Sequence, residues 1–182
     1  MAYENKTGLP SVTTILRPWI ASDYYTEDSK WRGQDVHSAL ASYLNVGFCL
    51  TLNRPEWQGY VDSGKRWIDA YVTKVIFAEK ELGSTALGYS GHPDLCCEAP
   101  KIDDEAGIVD WKTGIASALW HPLQVAAYRY LSYSQGWPSS WGGILRLRPD
   151  GKMAIFDRCK DYYSDMNKFN AALVLHQHFN GG

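Results

Sequence analysis

The sequence predicts a single-domain α/β protein in which helices flank one mixed central sheet. Its 182 residues are the length of one domain rather than two. Apolar residues recur with a helical period in residues 1–74. From residue 75 onward, segments with a period near two alternate with further helical segments. We therefore expect one domain over residues 1–182, with a helical N-terminal part over 1–74 and a sheet core over 75–182.

Three helices are predicted in the N-terminal part. Ser11 is a good N-cap residue that follows Pro10, and it predicts a short helix over residues 11–19. A second helix is predicted over residues 31–45, where the apolar residues follow an i, i+4, i+7, i+8 stripe. The clearest helical period continues from Trp57 to Val75, over about five turns.

The sheet core is predicted to begin with three strands. A period near two indicates strands over residues 75–82 and 89–99. A polar loop over 99–107 separates the second of these strands from a third strand at 108–112. The second and third strands should form a hairpin. A helix is then predicted over residues 119–135, strands over 141–148 and 153–158, and a last helix over 162–178.

Composition restricts the class of protein. The net charge of -2 lacks the overall basic character of many nucleic-acid-binding proteins, so any DNA contact has to come from a local patch. Cys49, Cys96, Cys97 and Cys159 have no zinc-ligand spacing, and the adjacent pair should face opposite ways in a strand. Reduced cysteines, no apolar run of membrane-spanning length and no signal-peptide pattern predict a cytoplasmic protein without membrane contact.

Three charged residues of the predicted hairpin point to metal chemistry. Strand alternation places Asp110 and Lys112 on one face and Trp111 on the other. If the two strands are neighbours, Asp94 approaches Asp110 and Lys112 on the same surface. Two adjacent carboxylates are costly unless a positive group binds them, and a hard divalent cation such as Mg²⁺ is the natural partner. The spacing alone is common on solvated strands, so the motif gains weight only from its surroundings.

The surrounding motifs resemble the RecB-type branch of the PD-(D/E)xK nucleases. The strings GHPD, IVDWKTG and QVAAY supply the residues of its pattern in the right order: Gly91 and Asp94, Asp110 and Lys112 with Thr113 and Gly114, and Gln124 with Tyr128. The upstream helical histidine of that branch matches His37. Its strand glutamate matches Glu79 best, although Glu81 would share the same face.

The resemblance covers nearly the whole chain from Ser11 onward. The opening SVTTIL is similar to that of phage exonucleases and mitochondrial genome-maintenance exonucleases. The resemblance therefore implies a restriction-endonuclease-like fold and a phage protein, or one of DNA recombination and repair, with a possible recombination or replication partner protein. Some relatives hold an iron–sulfur cluster with four cysteines, but the cysteines here do not match that arrangement, and no cluster is expected.

The resemblance also implies residue roles. Asp94 and Asp110, the backbone carbonyl of Trp111 and a ring nitrogen of His37 would ligate one or two Mg²⁺ or Mn²⁺ ions. Lys112 would orient the attacking water or stabilise charge on the phosphate. Further catalytic positions are Glu79, which would support a second ion or be only a solvated strand residue, and Gln124, which would contact Lys112 or the DNA backbone.

Four residues are candidates for DNA contact. Thr113 ends the motif strand and would touch phosphate, whereas Tyr128 would contact DNA or belong half to the core. Arg146 and Arg148 share a predicted strand face and would form a basic patch or a solvated edge. His92 occupies a position where the family has a small or neutral residue, and we interpret it as a strand histidine satisfied by its neighbours.

Together these features predict a Mg²⁺- or Mn²⁺-dependent DNA exonuclease that hydrolyses phosphodiester bonds by water attack of the two-metal type. The resemblance alone favours exonuclease, because endonucleases share the same active-site residues. The alternatives are a structure-selective DNA endonuclease and a catalytically silent module of the same fold that binds nucleic acid or protein. Silent relatives usually lose an acidic residue or the lysine, and all of these remain in this sequence.

Overall fold

Helices and strands cover most of the chain, and the computed structural model describes residues 7–20, 26–114 and 118–180. The helices are α1 Val12–Leu16, α2 Glu27–Val46, α3 Gln58–Tyr71, α4 His121–Ser134 and α5 Tyr162–Asn180. The strands are β1 Lys74–Ala78, β2 Leu82–Ser84, β3 Tyr89–Gly91, β4 Leu95–Ala99, β5 Asp103–Lys112, β6 Trp141–Arg146 and β7 Ile155–Arg158. Short 3₁₀ turns extend α1 and precede α3.

The central sheet is mixed, as predicted. Its strand order is β1-β4-β5-β6-β7. The predicted hairpin is confirmed, because β4 pairs antiparallel with β5. Helix α4 connects β5 to β6, which therefore lie parallel, and β7 returns antiparallel to β6. The architecture is thus a mixed sheet flanked by helices within one α/β domain.

Side-chain contacts at the helix ends account for the helix boundaries. Ser11 caps α1 by accepting a hydrogen bond from the Thr14 N–H, as predicted. Helix α2 begins four residues before the predicted start, because Thr26 caps it and Glu27 and Asp28 favour its positive N-terminus. Helix α3 ends at Tyr71 rather than Val75, since Val75 pairs with Cys97 in the sheet.

The predicted strand over residues 89–99 is wrong in one respect: it is two strands. Strand β3 pairs with β2 in a separate two-stranded sheet, whereas β4 joins the central sheet. Residues 92–94 between them belong to no strand. Pro93 explains the break, because it cannot donate a backbone hydrogen bond and restricts the residue before it. Asp94 therefore precedes β4, and His92 lies in the connection rather than in a strand.

The polar loop predicted over residues 99–107 is also wrong. Strand β5 already begins at Asp103, and only a short turn separates it from β4. Asp103 is held there by Arg158, at 2.6 Å, and by the Ser140 hydroxyl. These partners are distant in sequence, so the run of charged residues resembles a loop although it forms the start of a strand.

Two hydrophobic layers cover the two faces of the sheet. Helices α1, α4 and α5 pack on one face with Cys96 and Ile108, and helices α2 and α3 pack on the other with Cys97 and Trp111. The prediction that Cys96 and Cys97 face opposite ways is therefore confirmed. Much of the aromatic content is core, since Trp67, Trp111 and Trp141 are fully buried. No helix in the described ranges is long and apolar enough to cross a membrane.

Candidate metal centre

A cluster of charged residues lies at one end of the central sheet, where β1 ends, β4 begins and β5 finishes. One imidazole and two carboxylates meet there: ligand atoms of His37, Glu79 and Asp94 all lie within 4.8 Å of one another. His37 Nδ1 is 3.2 Å from Asp94 Oδ1 and 3.4 Å from Glu79 Oε1. The three residues come from α2, from the end of β1 and from the start of β4, so only the folded chain assembles them.

A β-bulge brings Glu79 to this cluster. Val75 pairs with Cys97, but Phe77 pairs with Cys96, so β1 contains one residue more than β4 across this interval. The extra residue shifts the register and places Glu79, rather than Ala78, beside Asp94, where its N–H donates to the Asp94 carbonyl at 2.8 Å. Among the described residues, Glu79 belongs to the ligand cluster and Glu81 does not, which favours Glu79 of the two.

Backbone strain accompanies this placement of Glu79. Its φ of +48° lies in the left-handed region, which costs a residue with a side chain on the order of 1–2 kcal/mol. Strained residues of this kind persist where the surrounding structure fixes them, and they concentrate at functional sites. The bulge and the strain therefore both favour a functional role for the Glu79 carboxylate over that of a solvated strand residue.

The hairpin fixes the Asp94 carboxylate. Asp94 is 5% exposed, and its Oδ2 accepts a hydrogen bond from the Trp111 N–H at 2.5 Å. Oδ1 of the same carboxylate faces His37. The Trp111 ring lies on the opposite face of the sheet, where it contacts the His37 ring edge to face at 5.5 Å. Trp111 thus positions both the Asp94 carboxylate and the His37 imidazole. Metal ligation by the Trp111 backbone carbonyl stays a prediction.

Asp110 and Lys112 form a second charged group beside the first. Lys112 Nζ lies 2.5 Å from Asp110 Oδ2, and Asp110 is 2% exposed. Burial raises the pKa of Asp110 to about 6, Lys112 opposes this rise, and the negative charge of Asp94 adds to it. The predicted approach of Asp94 to Asp110 and Lys112 is thus present. Asp110 faces the lysine, however, and is not one of the three clustered ligands.

The electrostatics of the cluster favour a bound cation. Burial lowers the pKa of His37, but Asp94 and Glu79 outweigh it and raise that pKa well above its ordinary value. Burial likewise raises the pKa of Glu79, and hydrogen bonds from His37 and His92 outweigh this and lower it. Both shifts have the same cause, which is the attraction between the carboxylates and positive charge at this position.

Helix α4 packs on the sheet face of Cys96 and Ile108, next to the acidic cluster. Gln124 Nε2 donates to the Tyr128 hydroxyl at 2.9 Å, and Gln124 Oε1 is a buried oxygen that has no hydrogen-bond partner among the described residues. Tyr128 is 4% exposed, which agrees with a role in the core. Burial raises the pKa of Tyr128 well above its ordinary value, and the Asp110 and Asp94 carboxylates add to this. Helix α4 thus presents polar groups toward the acidic cluster.

The other residues predicted to contact DNA are Thr113, Arg146 and Arg148, and they lie in different surroundings. Thr113 is 9% exposed at the end of β5. Arg146 is the register neighbour of Lys112, but it pairs with Asp157 at 2.5 Å. Arg148 lies beyond the end of β6 and pairs with Asp150 at 2.7 Å. Acidic partners therefore balance both arginines, so they are less suited to a basic patch than their spacing predicts.

Two residues that the sequence motifs did not assign to the site, His92 and Trp120, also lie at the cluster. His92 Nδ1 is 2.7 Å from Glu79 Oε2, so His92 contacts a candidate ligand directly. The Trp120 ring centroid lies 5.6 Å from Lys112 Nζ. The position of His92 within GHPD was the available signal for the first residue. The contact of Trp120 depends on where α4 begins, which the apolar periodicity does not fix.

The donor set suits a hard divalent cation. Carboxylate oxygens are the preferred ligands of Mg²⁺ and Mn²⁺, and an imidazole is compatible with Mn²⁺ as well. Glu79 and Asp94 supply such oxygens together with His37, and the buried Asp110 adds a further carboxylate next to them. Comparison of the sequence with models of protein families and with curated proteins found no match.

Proposed function

We propose that the chain is a Mg²⁺- or Mn²⁺-dependent deoxyribonuclease of restriction-endonuclease-like fold, and an exonuclease in particular. One observation carries the proposal: the fold brings ligand atoms of His37, Glu79 and Asp94 within 4.8 Å of one another, next to the buried Asp110 and its partner Lys112. A hard-cation site beside a lysine suits attack of water on a phosphodiester. The exonuclease assignment comes from the resemblance of the sequence motifs.

Each residue of the site would have a distinct role in the reaction. His37, Glu79, Asp94 and Asp110 would hold the metal, which supplies Lewis acidity toward a phosphoryl oxygen. The Lys112 ammonium, fixed by Asp110, stabilises negative charge that develops on the phosphate and orients the attacking water. The hydrogen bond from the Trp111 N–H holds Asp94 in place during the reaction.

The surroundings of Lys112 suit contact with a nucleic acid. The Trp120 ring is next to its ammonium, and the preceding Leu119 is 95% exposed. Aromatic rings stack on bases without sequence preference, and a lysine attracts the adjacent phosphate. This pairing of an aromatic ring with a cation suits a DNA strand that passes the metal site, in a protein whose overall charge does not attract DNA.

Digestion of end-labelled linear DNA tests the proposal. Single- and double-stranded linear DNA and covalently closed circles are incubated with Mg²⁺, Mn²⁺ or EDTA, and products are resolved on denaturing gels. We expect metal-dependent loss of linear DNA with the circles intact. Cleavage of circles or selective cleavage of branched DNA would instead indicate an endonuclease. Binding without cleavage under every condition would indicate the silent module.

Metal binding should stabilise the folded chain. Because only the folded chain assembles the site, Mn²⁺ at about one hundred times its dissociation constant should add about 2.7 kcal/mol to the free energy of unfolding. For a domain of this size that raises the melting temperature by roughly 5–10 °C. Differential scanning fluorimetry in Mn²⁺ and in EDTA measures the shift.

Histidine variants give that measurement its control. His37→Ala should abolish most of the Mn²⁺-dependent shift, because it removes the imidazole of the cluster. His178→Ala removes an exposed imidazole at the C-terminal end of α5 and should retain the full shift. Equal shifts in the two variants would show that Mn²⁺ binds elsewhere.

A further inference from the structure

His92 contacts the candidate metal centre through Glu79. Its Nδ1 lies 2.7 Å from Glu79 Oε2, while Oε1 of the same carboxylate lies 3.4 Å from His37 Nδ1. The carboxylate of Glu79 is therefore held between two imidazoles, one on each oxygen. Oε2 is directed to His92, and this leaves Oε1 directed to the cluster with His37 and Asp94.

The backbone around His92 is fixed by close packing. Gly91 lies against α4, and a Cβ at that position would be 2.6 Å from Tyr128 Cε1 and 3.1 Å from Leu131 Cδ1. Only glycine allows β3 to approach the helix this closely. Pro93 follows and restricts His92 to extended conformations. The His92 side chain is 20% exposed, so the ring lies mostly inside the protein.

A contact from a fixed group orders the Glu79 side chain. Glu79 follows the end of β1 in the left-handed conformation, and its N–H donates to the Asp94 carbonyl at 2.8 Å. A glutamate side chain has several rotatable bonds, and ordering it costs conformational entropy. A hydrogen bond from an imidazole that is itself fixed selects one orientation of the carboxylate.

We infer that His92 is a positioning residue, which holds the Glu79 carboxylate with Oε1 toward His37 and Asp94 and so strengthens binding of a divalent cation. The inference rests on the proposed function. His92 acts through Glu79 rather than as a ligand, because its Nδ1 contacts the carboxylate and it lies outside the group of three clustered ligand atoms. Groups that orient metal ligands in this way typically contribute about 10–100-fold to metal affinity.

Calorimetric titration of the metal-free protein with Mn²⁺ tests this inference without reference to cleavage. His92→Ala should weaken Mn²⁺ binding by about 10–100-fold. His92→Asn should restore most of the affinity, because its amide nitrogen donates from about the position of Nδ1. Combined with Glu79→Gln, His92→Ala should add little to the loss that Glu79→Gln causes alone, since without the Glu79 carboxylate His92 has no anionic ligand to hold in place.

Circular dichroism and thermal melting first establish that each variant is folded. If His92→Ala does not fold, His92→Gln replaces it, because its longer side chain carries the amide away from the Nδ1 position and should also weaken binding. Wild-type affinity in a folded His92→Ala or His92→Gln variant, or full additivity with Glu79→Gln, overturns the inference while Mn²⁺-dependent cleavage still supports the nuclease. A wild-type chain that binds no Mn²⁺ overturns the proposed function and the inference with it.

Discussion

Asp110→Asn is expected to lower DNA cleavage by at least about a hundredfold while the chain remains folded. Asp110 is 2% exposed, and asparagine has nearly its shape, so the packing between β4 and β6 is preserved. The substitution removes a carboxylate next to Asp94 and the anionic partner of Lys112. The site then attracts a cation less strongly, and the lysine ammonium is no longer fixed toward the phosphate.

The same substitution should leave the stability of the metal-free protein unchanged or higher. Burial raises the pKa of Asp110 above its ordinary value, so the charged carboxylate opposes folding at neutral pH, and that cost disappears as the pH falls and the group is protonated. A neutral amide removes the cost at every pH. Lys112→Ala should also abolish cleavage, but it leaves Asp110 buried without its cation and should lower the melting temperature.

Asp103→Asn is the matched control. Asp103 lies on the same strand and also pairs with a cation, Arg158 at 2.6 Å, but at the opposite end of β5 from the cluster. The Asp103→Asn variant should retain the wild-type rate of cleavage in initial-rate assays with end-labelled DNA. Full activity in Asp110→Asn, or equal losses in both variants, would contradict the assignment of the active site.

Alternation and motif spacing predicted the centre of the site because it depends on local sequence. The hairpin of β4 and β5 follows from a period of two, and it places Asp94 next to Asp110 and Lys112 on one face. Helical periodicity likewise placed His37 on α2, although the contact of this helix with the end of the sheet was implied only by the resemblance. Predicting that these residues belong to one site required no knowledge of strand register beyond one hairpin.

The residues that complete the cluster depend on features that periodicity does not contain. The bulge between Val75 and Phe77 decides that Glu79 stands beside Asp94, and a pattern of alternating residues does not reveal a one-residue insertion. Pro93 breaks the predicted strand, and His92, which lies in the break, contacts Glu79. The early start of β5 depends on the ion pair of Asp103 with Arg158, two residues far apart in sequence.

Gly107→Ala is expected to destabilise the fold by about 1–3 kcal/mol, which lowers the melting temperature by roughly 2–4 °C for each kcal/mol. A Cβ at Gly107 would lie 2.1 Å from Cδ2 and Cε2 of Trp141, its partner on β6. The indole is 1% exposed and packs edge to face against Phe156 at 5.6 Å. Its Nε1 donates to the Glu105 carbonyl at 2.7 Å, so the ring has little freedom to move away.

Gly33→Ala provides the opposite expectation for the same chemical change. Gly33 lies within α2, and a Cβ there meets no atom within 4 Å. Alanine loses less backbone entropy in a helix, so this variant should be more stable by about 0.5–1 kcal/mol. Urea unfolding monitored by tryptophan fluorescence measures the change in the free energy of unfolding for both variants. Gly107→Ala with a wild-type midpoint would show that the Trp141 ring can shift to admit a methyl group, and its close contact with Gly107 would then not limit stability.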